Sequence, residues 1–283
     1  MRAAWILGAL CLGVACGPAR PRLREAEPTT LQGPDDVLRW ELLTRPDTVY
    51  LLTTLLGPTT GNRPCPAVTK SDVNPALTLY TGNCTDESGT AWHGQAERSS
   101  WKTEDHVAQR VTMRGYGSGE DTITGHTWLS DDGSDSRRFF VDVEMRNPEL
   151  PGDPQWVALR HRGVVTDGVW RGRGRVAVDG WGRVDTRTEG LVFDGDQCEG
   201  EPLAGKTTLS AARHEVEIEY DGATDCDRPG TAKWRYDDQP RGELSGVSGQ
   251  LGCTPSNNED KPPAGAWLVL LCLLSPRRRC PRV

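Results

Sequence analysis

The stretch Val169-Trp-Arg-Gly-Arg-Gly-Arg-Val-Ala-Val178-Asp-Gly-Trp-Gly-Arg-Val-Asp-Thr-Arg-Thr-Glu-Gly-Leu-Val-Phe193 decides the fold. Two runs alternate with period two, Val169 to Val178 and Arg183 to Phe193, and Asp179-Gly180 stands between them. Asp-Gly between alternating runs signals a hairpin, because both residues accept positive φ. On the first run Arg171, Arg173 and Arg175 face one way, and Trp170, Gly172, Gly174 and Val176 the other. On the returning run Arg183, Asp185, Arg187 and Glu189 share a face. A two-residue loop would set the arginines against Val184, Thr186 and Thr188. An odd loop that includes Trp181 sets Arg175 against Asp185 and Arg171 against Glu189. Opposite charges across a strand pair gain roughly a few tenths of a kcal/mol, and mixing a polar face with the core costs more. An odd loop with a bulge is therefore expected. The glycines beneath Trp170 and Trp181 are expected to leave room for flat indoles. The arginine side reads as a solvated sheet face, with an anion site as its alternative.

Working outward, the same period covers Leu77 to Tyr80, Val107 to Tyr116, Thr122 to Leu129, Phe139 to Met145, Trp156 to Val165, Glu215 to Tyr220 and Lys233 to Tyr236. Asp132-Gly133, Asp167-Gly168, Asp194-Gly195 and Asp221-Gly222 punctuate them. Consecutive hairpins make neighbouring antiparallel strands. The expected fold is mainly β: an antiparallel meander forming a curved sheet, half-barrel or sandwich, with one or two short N-terminal helices. Those helices are expected between Asp35 and Gly57, capped by Asp35 or Asp36 and by Asp47, with Pro46 between them. A buried strand is the competing reading of Val49 to Leu56.

Tyr80 to Trp92 and Tyr220 to Trp234 echo one another. Both run Tyr-x-Gly, a nearby Cys, Gly-Thr-Ala and a Trp. Each reads as two strands joined by a polar loop, within repeat-like units near 65–97 and 198–246. The echo favours disulfides Cys65–Cys84 and Cys198–Cys226. Asp221, Asp225 and Asp227 in the second loop are the first candidates for calcium, although turn chemistry alone accounts for their Asp and Gly content.

The chain has 283 residues, 36% of them hydrophobic, and ten tryptophans concentrate the apolar area. Its net charge is -7; the start contributes one positive charge and the tail after Cys253 three, so the body between them carries -11. An acidic body argues against nucleic acid as a partner. Arg2 and the apolar run Ala3 to Ala15 have the dimensions of a signal core, making 1–15 a signal peptide. The run ends Leu12-Gly-Val-Ala-Cys16, which resembles a bacterial lipoprotein signal. The resemblance implies an acylated Cys16. Residues 16–34 are expected as a disordered tether and 35–253 as the β-rich body. Residues 254–283 form a polar spacer, a short apolar segment and an Arg-rich end. Cys253, the spacer, Ala264 to Leu274 and Arg277-Arg278-Arg279 resemble the C-terminal sorting tails of myxobacterial surface proteins. That resemblance implies processing near Cys253.

The five histidines are scattered, none at metal-ligand spacing, and no nucleophile elbow or phosphate loop occurs. Each histidine reads as an ordinary exposed or half-buried side chain. No catalytic residue, cofactor or metal requirement is read from the residues. The expected function is a non-catalytic binding or structural module, exported and held in the cell envelope at the outer membrane by its lipid. A surface polymer, a protein or lipid is its expected partner. A carrier of lipid or another apolar ligand is the alternative, because short helices ahead of a long meander resemble the helix-lidded half-barrels of periplasmic lipid-carrier proteins. An envelope-polymer hydrolase using scattered Asp and Glu is the third reading.

Overall fold

The computed structural model describes residues 21–247, apart from 57–63, 75, 105, 134–135, 149, 151, 194–201, 221–230 and 246. Helices α1 (Pro21–Glu25), α2 (Pro34–Thr44) and α3 (Pro46–Leu55) come first. The strands follow as β1 (Ala67–Lys70), β2 (Leu77–Thr81), β3 (Cys84–Thr85), β4 (Ala91–Lys102), β5 (Val107–Ser118), β6 (Asp121–Asp131) and β7 (Ser136–Arg146). The second half continues with β8 (Trp156–Thr166), β9 (Val169–Val178), β10 (Gly182–Phe193), β11 (Pro202–Ala211), β12 (His214–Tyr220), β13 (Thr231–Tyr236) and β14 (Gln239–Ser245). All belong to one antiparallel sheet in chain order, with β3 off the main path against β4. The sheet is not closed. Of the expected forms this is the meander, as a single sheet.

The hairpin from β9 to β10 has the odd loop its charges require. Gly182 pairs with Val178, leaving residues 179–181 as the loop, and Asp185 pairs with Arg175. The Arg175 guanidinium donates to both Asp185 oxygens, at 2.6 and 2.9 Å. With both side chains nearly half exposed, the pair contributes under about 1 kcal/mol. It fixes register more than it stabilises. The bulge falls after Thr188, where the register jumps to Leu191 opposite Trp170. Glu189 therefore does not meet Arg171, as expected from the sequence, but pairs with Arg187 on its own strand. At the preceding hairpin Asp167 and Gly168 both take positive φ, 51° and 75°, as a tight two-residue turn demands.

The inward glycines of β9 serve a different ring from the expected indoles. A Cβ at Gly172 would lie 2.6 Å from His161 Cε1, and one at Gly174 would strike the His161 ring and come 2.6 Å from the Arg160 carbonyl. The two glycines form a slot for an imidazole. Gly174→Ala is expected to cost about 1–3 kcal/mol by overpacking, read as a lowered denaturation midpoint.

The helices begin where proline allows rather than where aspartate caps. Gly33 is the N-cap of α2, with Pro34 in the first turn and no side-chain cap. Asp35 and Asp36 sit in that turn, where the helix dipole favours them without a capping bond. Arg45, extended at φ -63° and ψ 135°, ends α2 and starts α3. Pro46 enforces the break. The strand reading of Val49 to Leu56 gives way to α3.

The segment expected as a tether to residue 34 is built into the body from residue 21. Leu23 is buried against Ala158 and Ala177, and Arg22 stacks over Trp156 at 5.1 Å. Ala158 and Ala177 point away from α2 and α3, so α1 lies on the opposite face of the sheet. The chain then passes beside Arg183, with the Thr29 N–H donating to its carbonyl at 3.0 Å. Leu31 completes the crossing by joining the main core with Val37 and Trp40. One apolar cluster runs from Tyr80 on β2 to Leu244 on β14 beneath α2 and α3. A sheet this wide, serving a helix pair on one face, must curl round it.

Strands β4 and β11 had no clear alternation in the sequence. Inward positions on β4 include Ala96 and Arg98, whose guanidinium lies 5.9 Å from the centre of the Tyr80 ring. On β11 the inward Thr207 enters a polar cluster.

Candidate functional site

The first echoed segment runs strand, loop and strand, and the second is described at its two ends, on β12 and β13. Tyr80 is buried on β2 opposite Ala96 of β4, and Tyr220 is buried on β12 opposite Ala232 of β13. Cys65 and Cys84 are joined, with an S–S length of 2.04 Å. In the first loop Asp86 accepts bonds from Ser88, Thr90 and the Trp92 indole. These bonds hold its carboxyl down at about 2. Cys16, Cys198, Cys226, Cys253, Asp221, Asp225 and Asp227 lie outside the described residues. Among the described residues no three His, Cys, Asp or Glu side chains cluster to hold a metal.

The polar chemistry gathers where α2 turns into α3. Glu41 and Arg45 stand one helical turn apart and both are buried. Arg45 donates to Glu41 at 3.3 Å and, through Nε and a terminal nitrogen, to Asp47 at 2.7 and 3.0 Å. Its guanidinium lies 5.4 Å from the centre of the Phe193 ring. The Tyr220 hydroxyl, at the end of β12, donates to Glu41 at 2.7 Å. It lies 3.0 Å from Thr207, which in turn lies 2.9 Å from Thr188. The cluster thus ties both helices to β10, β11 and β12.

One cation faces two carboxylates there. Burial raises the Glu41 carboxyl above its ordinary value, against the lowering effects of Arg45 and the Tyr220 hydrogen bond. Burial also lifts the Tyr220 hydroxyl well above its ordinary range. Burial thus favours the neutral form of Glu41, while Arg45 is held chiefly by its two bonds to Asp47. Such an arrangement holds the helix junction without supplying an exposed acid or nucleophile.

His161 lies beside the junction and is 1% exposed. Its ring stacks on Phe139 at 5.8 Å, nearly parallel. The Thr44 backbone faces it, yet neither ring nitrogen completes a hydrogen bond. Burial drives its value down to about 3, so the ring is neutral. This overturns the reading of every histidine as exposed or half-buried. The signal was present: strict alternation on β8 puts His161 in line with the buried Val157 and Leu159. For the Glu41–Arg45 pair the signal was an i, i+4 spacing of opposite charges, and nothing in the spacing pointed to Tyr220.

No family model, curated protein or solved structure matches this chain.

Proposed function

We propose that the chain is an exported, lipid-anchored binding module of the cell envelope. It is non-catalytic, and its helix-covered sheet face takes an acyl chain or a similarly apolar ligand. The observation that carries this reading is the position of α2 and α3. They cover the apolar face of an open meander, and one buried polar cluster ties their junction to β10, β11 and β12. Apolar surface is stabilised equally by a helix face or by an acyl chain, because the effect is non-directional. A polar latch is directional and needs its partners, so it sets the closed position of the cover.

Native mass spectrometry of the protein purified from envelopes tests the reading. The expected result is a bound lipid that dissociates on activation, in addition to the covalent acyl group on Cys16. Protein carrying only its covalent acyl group, with no melting-temperature rise on adding fatty acid or phospholipid, would remove the carrier reading. A Cys16→Ser form that still partitions into detergent like the parent would remove the anchor.

A further inference from the structure

The face of the sheet away from α2 and α3 carries an arrangement that only the full register reveals. Across six consecutive strands, β5 to β10, one row reads Arg110, Trp128, Phe140, Arg162, Arg173, Arg187. On one side of this row Arg138 and Arg171 flank Val164. On the other, Arg160 stacks over Phe140 at 6.0 Å. Arg110, Arg138, Arg162, Arg171 and Arg173 are exposed, and none forms an ion pair among the described residues. At about 4.8 Å per strand the row spans about 24 Å. On the outer side of the curled sheet that is a field several phosphates wide, not a pocket for one. Beyond it, at β12, the same face turns acidic with Glu215, Glu217 and Glu219.

We infer that this arginine and aromatic face docks on an anionic lipid headgroup surface. Arginine forks pair with phosphate oxygens, and tryptophan and arginine stems sit well at the boundary between headgroups and acyl chains. A body of net charge -11 makes no general approach to an anionic surface, so the contact is confined to this face. The start of the described chain lies on the same side. Leu23 of α1 packs on Ala158 and Ala177, one pleat row from Arg160 and Arg175. Pro21 is five steps along the chain from Cys16, a reach of at most about 18 Å. The choice of a membrane as occupant rests on the lipid-anchor reading, under which an acyl chain at Cys16 brings this face to the bilayer.

The test uses the Cys16→Ser chain, which has no anchor, so docking and anchoring are read separately. Sedimentation with phosphatidylcholine vesicles is compared with the same vesicles containing phosphatidylglycerol. Binding to the anionic vesicles alone is expected, weakening as salt is added. Arg162→Gln, Arg171→Gln and Arg173→Gln together are expected to lower the partition coefficient about ten- to a hundredfold. Arg235→Gln with Arg241→Gln, outside the patch, is expected to leave it unchanged. The arginine positions are exposed, so the melting temperature of the triple variant serves as its folding control. Equal partition into both vesicle types, or a triple variant that binds like the parent, would overturn the inference. So would concentration-dependent dimerisation lost in the triple variant, which would assign the face to the Glu215–Glu219 edge of a second copy.

Discussion

Arg45→Ala is expected to lower unfolding free energy by about 3–5 kcal/mol at neutral pH, the range for removing one partner of a buried ion pair. The size follows from what the arginine leaves behind. Its side chain is fully buried, and its fork holds Asp47 by two bonds. Without it, Asp47 loses its bidentate partner and Glu41 loses the cation beside it. The packing against Phe193 is lost as well. Against a typical total of about 5–15 kcal/mol, the variant stands close to unfolding. Glu41→Gln is the informative contrast. It keeps an acceptor for Tyr220, leaves Arg45 matched by Asp47, and is expected to change stability by less than about 1 kcal/mol. The sign with pH separates the two. The Glu41 carboxyl is raised in the folded state, so its contribution is present at low pH and is lost as pH rises from the ordinary carboxylate value through the raised one. Glu41→Gln therefore gains on the parent as pH rises. Arg45→Ala recovers on acidification, when Glu41 takes up a proton. Urea denaturation at acid and neutral pH measures both. A loss under about 1 kcal/mol for Arg45→Ala would mean that the latch is not closed in solution.

Much of the sheet was legible because its hairpins are written locally. Asp167-Gly168 specifies a two-residue turn, and the charges of Arg175 and Asp185 select an odd loop over an even one. The position of the bulge was not legible. Glu189 can pair with Arg171 across the strands or with Arg187 along its own, and only the packing of Leu191 decides. The N-terminal crossing was hidden for a related reason. A segment rich in Pro, Arg and Glu has no periodicity, and its order comes from Leu23 and Leu31 finding opposite faces of a sheet formed much later in the chain. The arginine face needed every register from β5 to β10 at once. An error of one residue in any hairpin would have sent part of the row to the other side. The latch joins residues 179 apart in sequence, a distance at which spacing carries no information.

Replacing His161 with Met is expected to remove most of one proton's worth of acid sensitivity. In the folded chain the imidazole sits at about 3, against an ordinary value of 6.5. Between those limits the unfolded chain binds a proton that the folded chain refuses. Stability is therefore full above the ordinary value and falls as pH drops toward the folded one. At about 1.4 kcal/mol per unit, the parent loses about 2 kcal/mol by pH 5 and about 4–5 kcal/mol by pH 3. The groups around the ring offer a proton little to bind. Phe139 covers one face, Gly172 and Gly174 approach from β9, and Pro46 lies near the same slot. The Thr44 backbone alone favours the charged form. Glu41 works in the opposite sense over part of the same range, so its contribution partly offsets that of His161 in the parent and is no longer masked by it in the variant. His161→Met is thus expected to give a flatter or inverted stability profile below neutrality, whatever its cost at pH 7 from refilling the slot. Thermal denaturation across that range reads the slope. A variant that keeps the parent's slope would show that His161 reaches water or a partner when protonated. The helix junction above it, Thr44 to Pro46, would then be the place where the cover opens.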